Sequence, residues 1–560
     1  MDIISLLILL PWLLVQAKSI LFWIYLWQLK DYHIKRFLAH FKTYKGKQLL
    51  FDKIRFLKLG FLFLILLGII TDDSSNIFFF CVSLLILIFY LLEASVTALK
   101  FKQKTIIAPE FNKKTIVLSL ASIFSLLILS VWYVQRIEDS FYNPNYLFFY
   151  YLPLFILFFD IISPIFISTI VLVFQPITVI YRTIIINKAK KRIAEIPNLT
   201  VIGITGSYGK SSCKEFLYAI LKDKFSVLKT PKNFNSEMGI SQTILKDLRN
   251  NHQYFICEMG AYSARGIKML CDIVHPKIGI LTGINQQHLA TFGSQENIIK
   301  TKFELIDSLP EDGTAILNYE NSLIRKELET HRFLVKNIKL VSKAQKPDVY
   351  ITKIKNKNGI ISFDCSDKKR NKAHFELKIA GEESIIENML LAITCALNLG
   401  MTMQEIANAS KNINSDDSPI KMIKSPDEIT ILDSSYSSNP SGVISTINYL
   451  STFRGRRVLV MPCLIELGEE AQKIHQIIGQ SIAKICDLAI ITSKDYFDDI
   501  KKSAIQAGFQ EDRIIYCEDP EQIIQILKNF LNPGDVLLFE NRINNKVINE
   551  FLPFREKKYD

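Results

Sequence analysis

Residues 201–212 read VIGITGSYGKSS, and this stretch decides the fold class. An apolar strand beginning at Val201 runs into the glycine turn Thr205-Gly206-Ser207-Tyr208-Gly209, and a helical stretch follows from Lys210 to about Leu221. Strand, glycine turn and helix start together place backbone N–H groups around a polyphosphate. Lys210 then reaches the terminal phosphates, and the Ser211 hydroxyl can bind Mg²⁺. The spacing departs from G-x-x-x-x-G-K-[ST], because position 204 is Ile, so Gly206-x-x-Gly209-Lys210-Ser211 is the operative pattern. The expectation is an α/β domain that binds a nucleotide.

Downstream, KNFNSEMGISQTIL (residues 232–245), FICEMGA (255–261), the long run from Asn285 to Asn321 containing HLATFGS and KTKFE, DSSYSSNPSG (433–442) and IELGEEAQKIHQIIG (465–479) follow in that order. With TGSYGKSS they resemble the motifs of the Mur ligases, the enzymes that add amino acids to the peptidoglycan precursor. The D-alanyl-D-alanine-adding member is the one they resemble most. The resemblance covers about 350 residues.

It implies ATP and Mg²⁺ as cofactors and an acyl phosphate made from a carboxylate, which an amine then attacks. A carboxylate must approach a polyphosphate, so cations have to neutralise both. By resemblance Lys210, Glu258, His288 and Lys302 are catalytic, and Ser211, Glu258, His288 and Lys302 hold metal. Lys302 aligns with a lysine that many members carry as a carbamate, which would make it an anionic oxygen ligand suited to a hard ion. Thr205, Gly206, Ser207, Gly209, Lys210, Ser211 and Ser212, with Asn388, Asp433, Tyr436 and Asn439, are the implied nucleotide contacts. His475 and Arg542 are weaker candidates. The implied partners are a muramoyl-peptide acceptor, UDP- or lipid-linked, and an amino acid or dipeptide amine.

The pattern also departs from the family. The family's G-x-H-N-x-x-N becomes GEESIIENMLLA (381–392), keeping Asn388 but not the His-Asn pair. The second Asp of D-D-x-Y is Ser434, the G-D-M before L-E-L-G becomes Pro462-Cys463-Leu464, and the late K-G-S-R becomes Glu540-Asn541-Arg542-Ile543. These changes bear on the nucleotide and amine contacts. The front differs most, since the basic stretch ending at Arg192 reaches the phosphate loop within about ten residues. Apolar segments stand where soluble members hold the UDP-sugar.

All four tryptophans, Trp12, Trp23, Trp27 and Trp132, lie in the first quarter among Leu-, Ile- and Phe-rich runs. Trp favours the lipid–water interface, so the skew marks a membrane region. About +10 of the formal +12 charge precedes residue 198, which assigns the basic balance to membrane-flanking loops and excludes it as an argument for nucleic-acid binding. Nine scattered cysteines, with no CxxC pair, indicate neither zinc nor a disulfide framework.

Apolar stretches at Ile3–Trp27, Phe56–Thr71, Ile77–Leu99, Thr115–Tyr133 and Tyr146–Phe174 predict five spans, the fifth interrupted by Pro153, Asp160 and Pro164 and so open to a broken or re-entrant course. Lys and Arg crowd residues 30–58, 100–114 and 182–192, whereas Asp72-Asp73 and Glu138-Asp139 sit in loops poor in basic charge. The positive-inside rule then sets the N-terminus outside and the chain after Arg182 in the cytoplasm. Lys18, Glu93 and Asp160 are ionisable groups in or near apolar runs, functional candidates that equally pair within a bundle or reach the interface.

The predicted architecture is an α-helical transmembrane region (1–197), a central α/β P-loop ATP-binding domain (198–417) with a β-rich elaboration over 334–379, and a smaller Rossmann-like α/β domain (418–560). The function expected from the resemblance is an ATP-dependent, membrane-anchored peptide ligase. Alternatives are a ligase or amidating enzyme for another lipid-linked glycan or acidic polymer, and a non-catalytic membrane scaffold with a vestigial nucleotide site.

Overall fold

In a computed structural model the described residues are 3–552 apart from 31, 42, 71–75, 104, 141–143, 233, 286–288, 344–346, 358–359, 380–382, 414–419, 436–438 and 466. The chain divides into two compact units, 1–181 and 182–560.

Long apolar runs with no room for a polar face make the first unit helical. It holds α1 (Ile3–Leu29), the short α2 (Ile34–His40) and α3 (Tyr44–Leu50), α4 (Lys53–Ile70), α5 (Asn76–Lys102), α6 (Lys113–Ser140) and α7 (Pro144–Val173). Trp12, Trp23 and Trp27 are buried among them, while Leu84, Leu85, Ile88, Leu91 and Leu92 of α5 are exposed. Apolar side chains on the outside of a bundle are what a helix facing lipid carries. Among the described residues, four helical stretches are long and apolar enough to cross a membrane, within 7–29, 80–102, 113–133 and 152–194. The predicted second span forms α4, whose first turns carry Lys53, Arg55 and Lys58, and it is not among the four.

The predicted fifth span is not broken: α7 is one continuous helix of 30 residues. Pro164 has no N–H for the carbonyl of Asp160, and the Ser163 hydroxyl donates to that carbonyl instead (3.0 Å). Asp160 and Glu93 pair inside the bundle. The Lys58 ammonium bridges Asp160 and Glu93 (2.8 Å to the latter), and Gln16 and the Tyr90 hydroxyl (3.0 Å) also donate to Asp160.

Helix α8 (Gln175–Ala194) runs across the division between the units. Its last turns belong to the second unit, where Ala189, Ile193 and Ile196 pack with Ile240, Ile244 and Leu248. Arg192 donates to the carbonyl of Leu248 (3.1 Å) and to Asn250 (2.8 Å).

The second unit contains two sheets. Strands and helices alternate first as β1 (Thr200–Thr205), α9 (Lys210–Leu221), β2 (Val227–Lys229), α10 (Glu237–Asp247), β3 (Tyr254–Glu258), α11 (Gly266–Val274) and β4 (Ile278–Leu281). The short α12 (Leu289–Phe292) and α13 (Gln295–Asp307) lead to β5 (Thr314–Asn318), α14 (Ser322–Thr330) and β6 (Asn337–Ser342). Then β7 (Val349–Lys357), β8 (Ile360–Asp367) and β9 (Lys372–Leu377) form the β-rich elaboration, and α15 (Glu383–Asn398) and α16 (Met403–Ser410) close the domain. The nine strands lie in the order β2-β3-β1-β4-β5-β6-β7-β8-β9. Pairing is parallel as far as β7 and antiparallel from β7 to β9. Core clusters cover the sheet on both faces, as parallel strands require.

The last domain comprises β10 (Lys421–Lys424), β11 (Thr430–Ser434), α17 (Pro440–Leu450), β12 (Arg457–Met461), α18 (Ala471–Ile485) and β13 (Leu488–Ile491). It continues with α19 (Phe497–Gln506), β14 (Ile514–Tyr516), α20 (Pro520–Phe530), β15 (Val536–Glu540) and α21 (Asn545–Phe551). The sheet order is β10-β11-β15-β12-β13-β14, parallel except at β10. The predicted Rossmann-like α/β domain is here an open sheet, parallel except at its edge strand β10.

Candidate active site

Strand β1 lies between β3 and β4, so the loops leaving all three meet at one sheet edge. Ligands of open parallel sheets collect there, outside the carboxyl ends of the strands. Gly206 (φ +154°) lies so close to β4 that a Cβ would stand 2.1 Å from the Thr282 hydroxyl. Gly209 (φ +78°) caps α9, and a Cβ on it would meet Asn388 at 2.4 Å. Glycine is demanded at both places, by close approach at Gly206 and by the left-handed conformation at Gly209. The Asn388 contact brings α15 against the phosphate loop.

The loop is held on three sides. The Thr205 hydroxyl donates to the carbonyl of Met259 (2.9 Å), the Ser207 N–H to Gly283 (2.7 Å), and the Asn285 N–H to the Ser207 hydroxyl (3.2 Å). Lys210 folds back over the loop and donates to the carbonyls of Gly206 (2.9 Å) and Ser207 (3.3 Å). Burial lowers its pKa, against the pull of Glu258. Ser211 and Ser212 follow in the first turn of α9, Ser212 buried and Ser211 partly exposed.

A cavity of about 30 Å³ opens at this edge, lined by Gly206, Ser207, Lys210, Asn235, Tyr262 and Lys302. Lys302 comes from α13, and burial, then the neighbouring Lys210, pulls its ammonium down to about 7. Glu258 ends β3 and is 1% exposed. Asn235 donates to its Oε1 (3.1 Å), and its Oε2 accepts no hydrogen bond among the described residues. The nearest charge to Oε2 is the ammonium of Lys214 at 3.2 Å.

Sequence reading missed Lys214, Asn235 and Asn285. Lys214 resembles any helix lysine until β3 is known to neighbour β1. Asn235 and Asn285 lay inside quoted motifs, where their residue type alone did not set them apart. Asn285 joins the two domains, since its side-chain amide donates to Asn439 Oδ1 (3.1 Å) and Ser441 (3.2 Å). Asn439 is also the N-cap of α17, accepting from the Gly442 N–H (3.0 Å). Asp433 ends β11 and takes the N–H of Ser435 (3.0 Å). Asn439 and Ser441, at the start of α17, are therefore held by the segment that follows β4. His288 and Tyr436 lie outside the described residues.

His475 is a structural residue. Its Nδ1 donates to the carbonyl of Ala471 (2.6 Å), its Nε2 accepts from the Leu464 N–H (2.9 Å), and its ring stacks on Tyr496. Arg542 is exposed on the turn after β15. Glu540, at the end of that strand, is 1% exposed beside Ser434 and Thr446, and burial pushes its carboxyl up to about 8.

The oxygen donors suit a small hard cation. Glu258 Oε1, beside Asn235, and the hydroxyl of Ser211 in the first turn of α9 lie near the phosphate loop, an oxygen-donor set that would fit a divalent ion. No group of three or more His, Cys, Asp and Glu gathers as a metal centre among the described residues, which leave out His288.

The Mur ligase middle domain matches residues 204–396, and the Mur ligase glutamate ligase domain matches residues 420–540. Together they take in more than half of the chain. The chain belongs to the Mur ligase family. Among curated relatives, the UDP-N-acetylmuramoyl-tripeptide–D-alanyl-D-alanine ligase of Synechocystis is 29% identical over 343 residues, 61% of this chain and 71% of that protein. The ligase of the same name from Bacillus subtilis is 24% identical over 342 residues, 61% of this chain and 72% of that protein. Among solved structures, the MurF ligase of Thermotoga maritima in complex with ADP is 25% identical, with a TM-score of 0.58 over 66% of this chain and 83% of that one. MurF of Acinetobacter baumannii, at 22% identity, shares the fold with a TM-score of 0.58 over 66% of this chain and 80% of that one. As a Mur ligase, the chain carries the family's middle and C-terminal domains behind a helical region with four apolar helices long enough to span a bilayer.

Proposed function

We propose that this Mur ligase joins D-alanyl-D-alanine, or a closely similar amine, to the terminal carboxylate of a muramoyl tripeptide at the expense of ATP. The observation that carries the reading is the gathering of Lys210, Lys302 and Glu258 with the phosphate loop at one sheet edge. The relatives named for that reaction, and a MurF solved with ADP, support it.

The acceptor carboxylate attacks the γ-phosphorus, ADP leaves, and an acyl phosphate forms. The amine then attacks the acyl carbon, phosphate departs, and a proton is lost. Backbone N–H groups of residues 208–211 and the Lys210 ammonium hold the β- and γ-phosphates and take up the charge that moves onto ADP. Lys302 lies beside Lys210, where the acceptor carboxylate must come, and as a carbamate it would add an oxygen ligand. Ser211, Glu258, His288 and Lys302 are the residues we assign to Mg²⁺, which supplies Lewis-acid neutralisation of the phosphate oxygens. Asn388, Asp433, Tyr436 and Asn439 are assigned to the nucleotide and to domain closure over it.

In the helical region we propose α1, α4, α5, α6 and α7 as five spans, with the N-terminus outside and both α/β domains in the cytoplasm. The basic loops at 30–58 and 100–114 support that orientation. We assign domain limits of 1–197, 198–417 and 418–560, the first running past the compact division at residue 181. The bundle ahead of the family-matching part favours an acceptor presented at the bilayer, as a lipid-linked sugar peptide, over one held in a soluble UDP pocket.

Purified full-length protein in detergent tests the reading. Phosphate release from ATP should require a muramoyl tripeptide and D-alanyl-D-alanine together, and the lipid-linked acceptor should outperform the UDP-linked one. Preference for the UDP form would overturn the lipid-carrier assignment. Turnover with neither acceptor, against activity on another acidic glycan, would overturn the ligase assignment in favour of the amidating alternative. ATP binding with no turnover on any acceptor would favour the scaffold.

A further inference from the structure

Behind the phosphate loop lies a lysine that the reaction does not use. Lys214, one helical turn after Lys210 on α9, is fully buried. Its ammonium stands 3.2 Å from Glu258 Oε2 and 3.4 Å from Glu215 Oε1, and it donates to the carbonyl of Lys232 at 2.5 Å. Glu215 is in turn paired with Lys229, so Glu215 is already compensated from its outer side. That leaves the Lys214 charge directed at Glu258.

The other oxygen of Glu258 faces Asn235, which lines the cavity beside Lys210 and Lys302. Asn235 is fixed by Gly260, whose N–H donates to its carbonyl (2.8 Å) and where a Cβ would stand 2.8 Å from its amide. Glu258 therefore has one oxygen toward the site and one toward an internal cation. A buried carboxylate without a counter-charge is costly, and a divalent ion would be its natural partner. Here the partner is built into the chain.

We infer that Lys214 is the resident counter-ion of Glu258, a positioning residue that denies this carboxylate a divalent cation until a nucleotide brings one. Lys210 adds positive charge at the same edge, so a free dication meets repulsion from Lys210 and Lys214 and attraction from one neutralised carboxylate. A polyphosphate reverses that balance, because its charge exceeds what Lys210 supplies. Glu258 would then be shared between Lys214 and a metal ion carried in on phosphate. This inference rests on the assignment of Glu258 to the metal and does not depend on which amine or acceptor is joined.

The test is Mn²⁺ binding to the full-length protein, read by electron paramagnetic resonance with no nucleotide present. The wild type should hold no Mn²⁺ at this site alone and should hold it with ATP. Lys214→Met should gain affinity for free Mn²⁺ by about tenfold or more, and its lowered Tm should rise again when Mn²⁺ is added. Lys214→Met with Glu258→Gln should lose the gain and recover the Tm without metal. If Lys214→Met does not fold, Glu258→Gln in the otherwise unchanged chain decides, since it should weaken ATP-dependent Mn²⁺ binding about tenfold or more. Nucleotide-free binding by the wild type, a folded Lys214→Met with unchanged affinity, a gain that survives Glu258→Gln, or ATP-dependent binding indifferent to Glu258→Gln would each overturn the inference. These readings involve no ligation, so absent ligase activity would count against the proposed reaction alone.

Discussion

The two units each bury a lysine between two carboxylates, and the two arrangements serve different ends. In the helical unit, Lys58 lies between Asp160 and Glu93, with Gln16 and Tyr90 completing the shell of Asp160. Apolar side chains of α1, α5 and α7, including Trp12, Ile86, Ile156 and Leu157, form the core around it. In the ATP unit, Lys214 lies between Glu258 and Glu215, but Glu258 is separated from a polar cavity only by Asn235. The lesson is that a buried ion pair reveals little by itself. What distinguishes the two is whether a carboxylate of the pair also borders open, cation-rich space.

Substitutions can break or sharpen that contrast. The largest effect should come from Lys210→Ala, which removes the phosphate-facing cation and should lower ligation by at least about 10²–10³-fold while detergent-phase Tm stays near wild type. A large drop in Tm with it would mean that the loop lysine supports the fold as Lys58 does.

Asp160→Ala should do the opposite. It leaves Lys58 short of its closest partner inside the bundle and should cost about 3–5 kcal/mol, as breaking a buried pair does. The combined variant Lys58→Met, Glu93→Gln and Asp160→Asn should regain most of that loss, with ATP turnover per folded molecule unchanged throughout. Turnover that falls while the protein remains folded would give the helical cluster a part in the chemistry.

Glu540 gives a smaller effect that depends on pH. Its carboxyl rises from the usual 4.5 to about 8 in the fold because burial penalises the ionised form. The folded state thus holds a proton that the unfolded chain has lost. Stability from this group is fully present below about pH 4.5 and is lost as pH rises through about 8. Glu540→Gln should therefore raise the Tm by several degrees at pH 8.5 and leave it nearly unchanged at pH 4.5. A Tm difference that does not vary with pH would show that Glu540 is ionised in the fold.

The smallest effect belongs to Glu215→Gln. This carboxylate is partly exposed and shared with Lys229, so its loss should cost no more than about 1 kcal/mol by thermal melting. A larger cost would make Glu215, rather than Glu258, the principal partner of Lys214.

Much of this was legible from residue order. The strand, glycine turn and helix of residues 201–221 and the β-rich elaboration over 334–379 follow from local pattern, and each stands where the pattern placed it. Local pattern could not show Lys214 meeting Glu258, because that contact joins α9 to a strand 44 residues on through the pairing of β1 with β3. Nor could it show that Pro164 leaves α7 whole, since the remedy is a hydroxyl from the preceding residue. Lys58 escaped notice for a related reason. It reads as the charged edge of a short apolar run, and its partners come from α5 and α7.

The central claim is that the edge formed by β1, β3 and β4 converts a carboxylate into an acyl phosphate. The most direct measurement uses acceptor whose terminal carboxylate carries ¹⁸O, turned over by the full-length protein with ATP and D-alanyl-D-alanine. Each phosphate released should carry one ¹⁸O from the acceptor, and release should fall by at least about 10²–10³-fold when Lys210 is replaced by Ala. Amide product accompanied by unlabelled phosphate would contradict the claim.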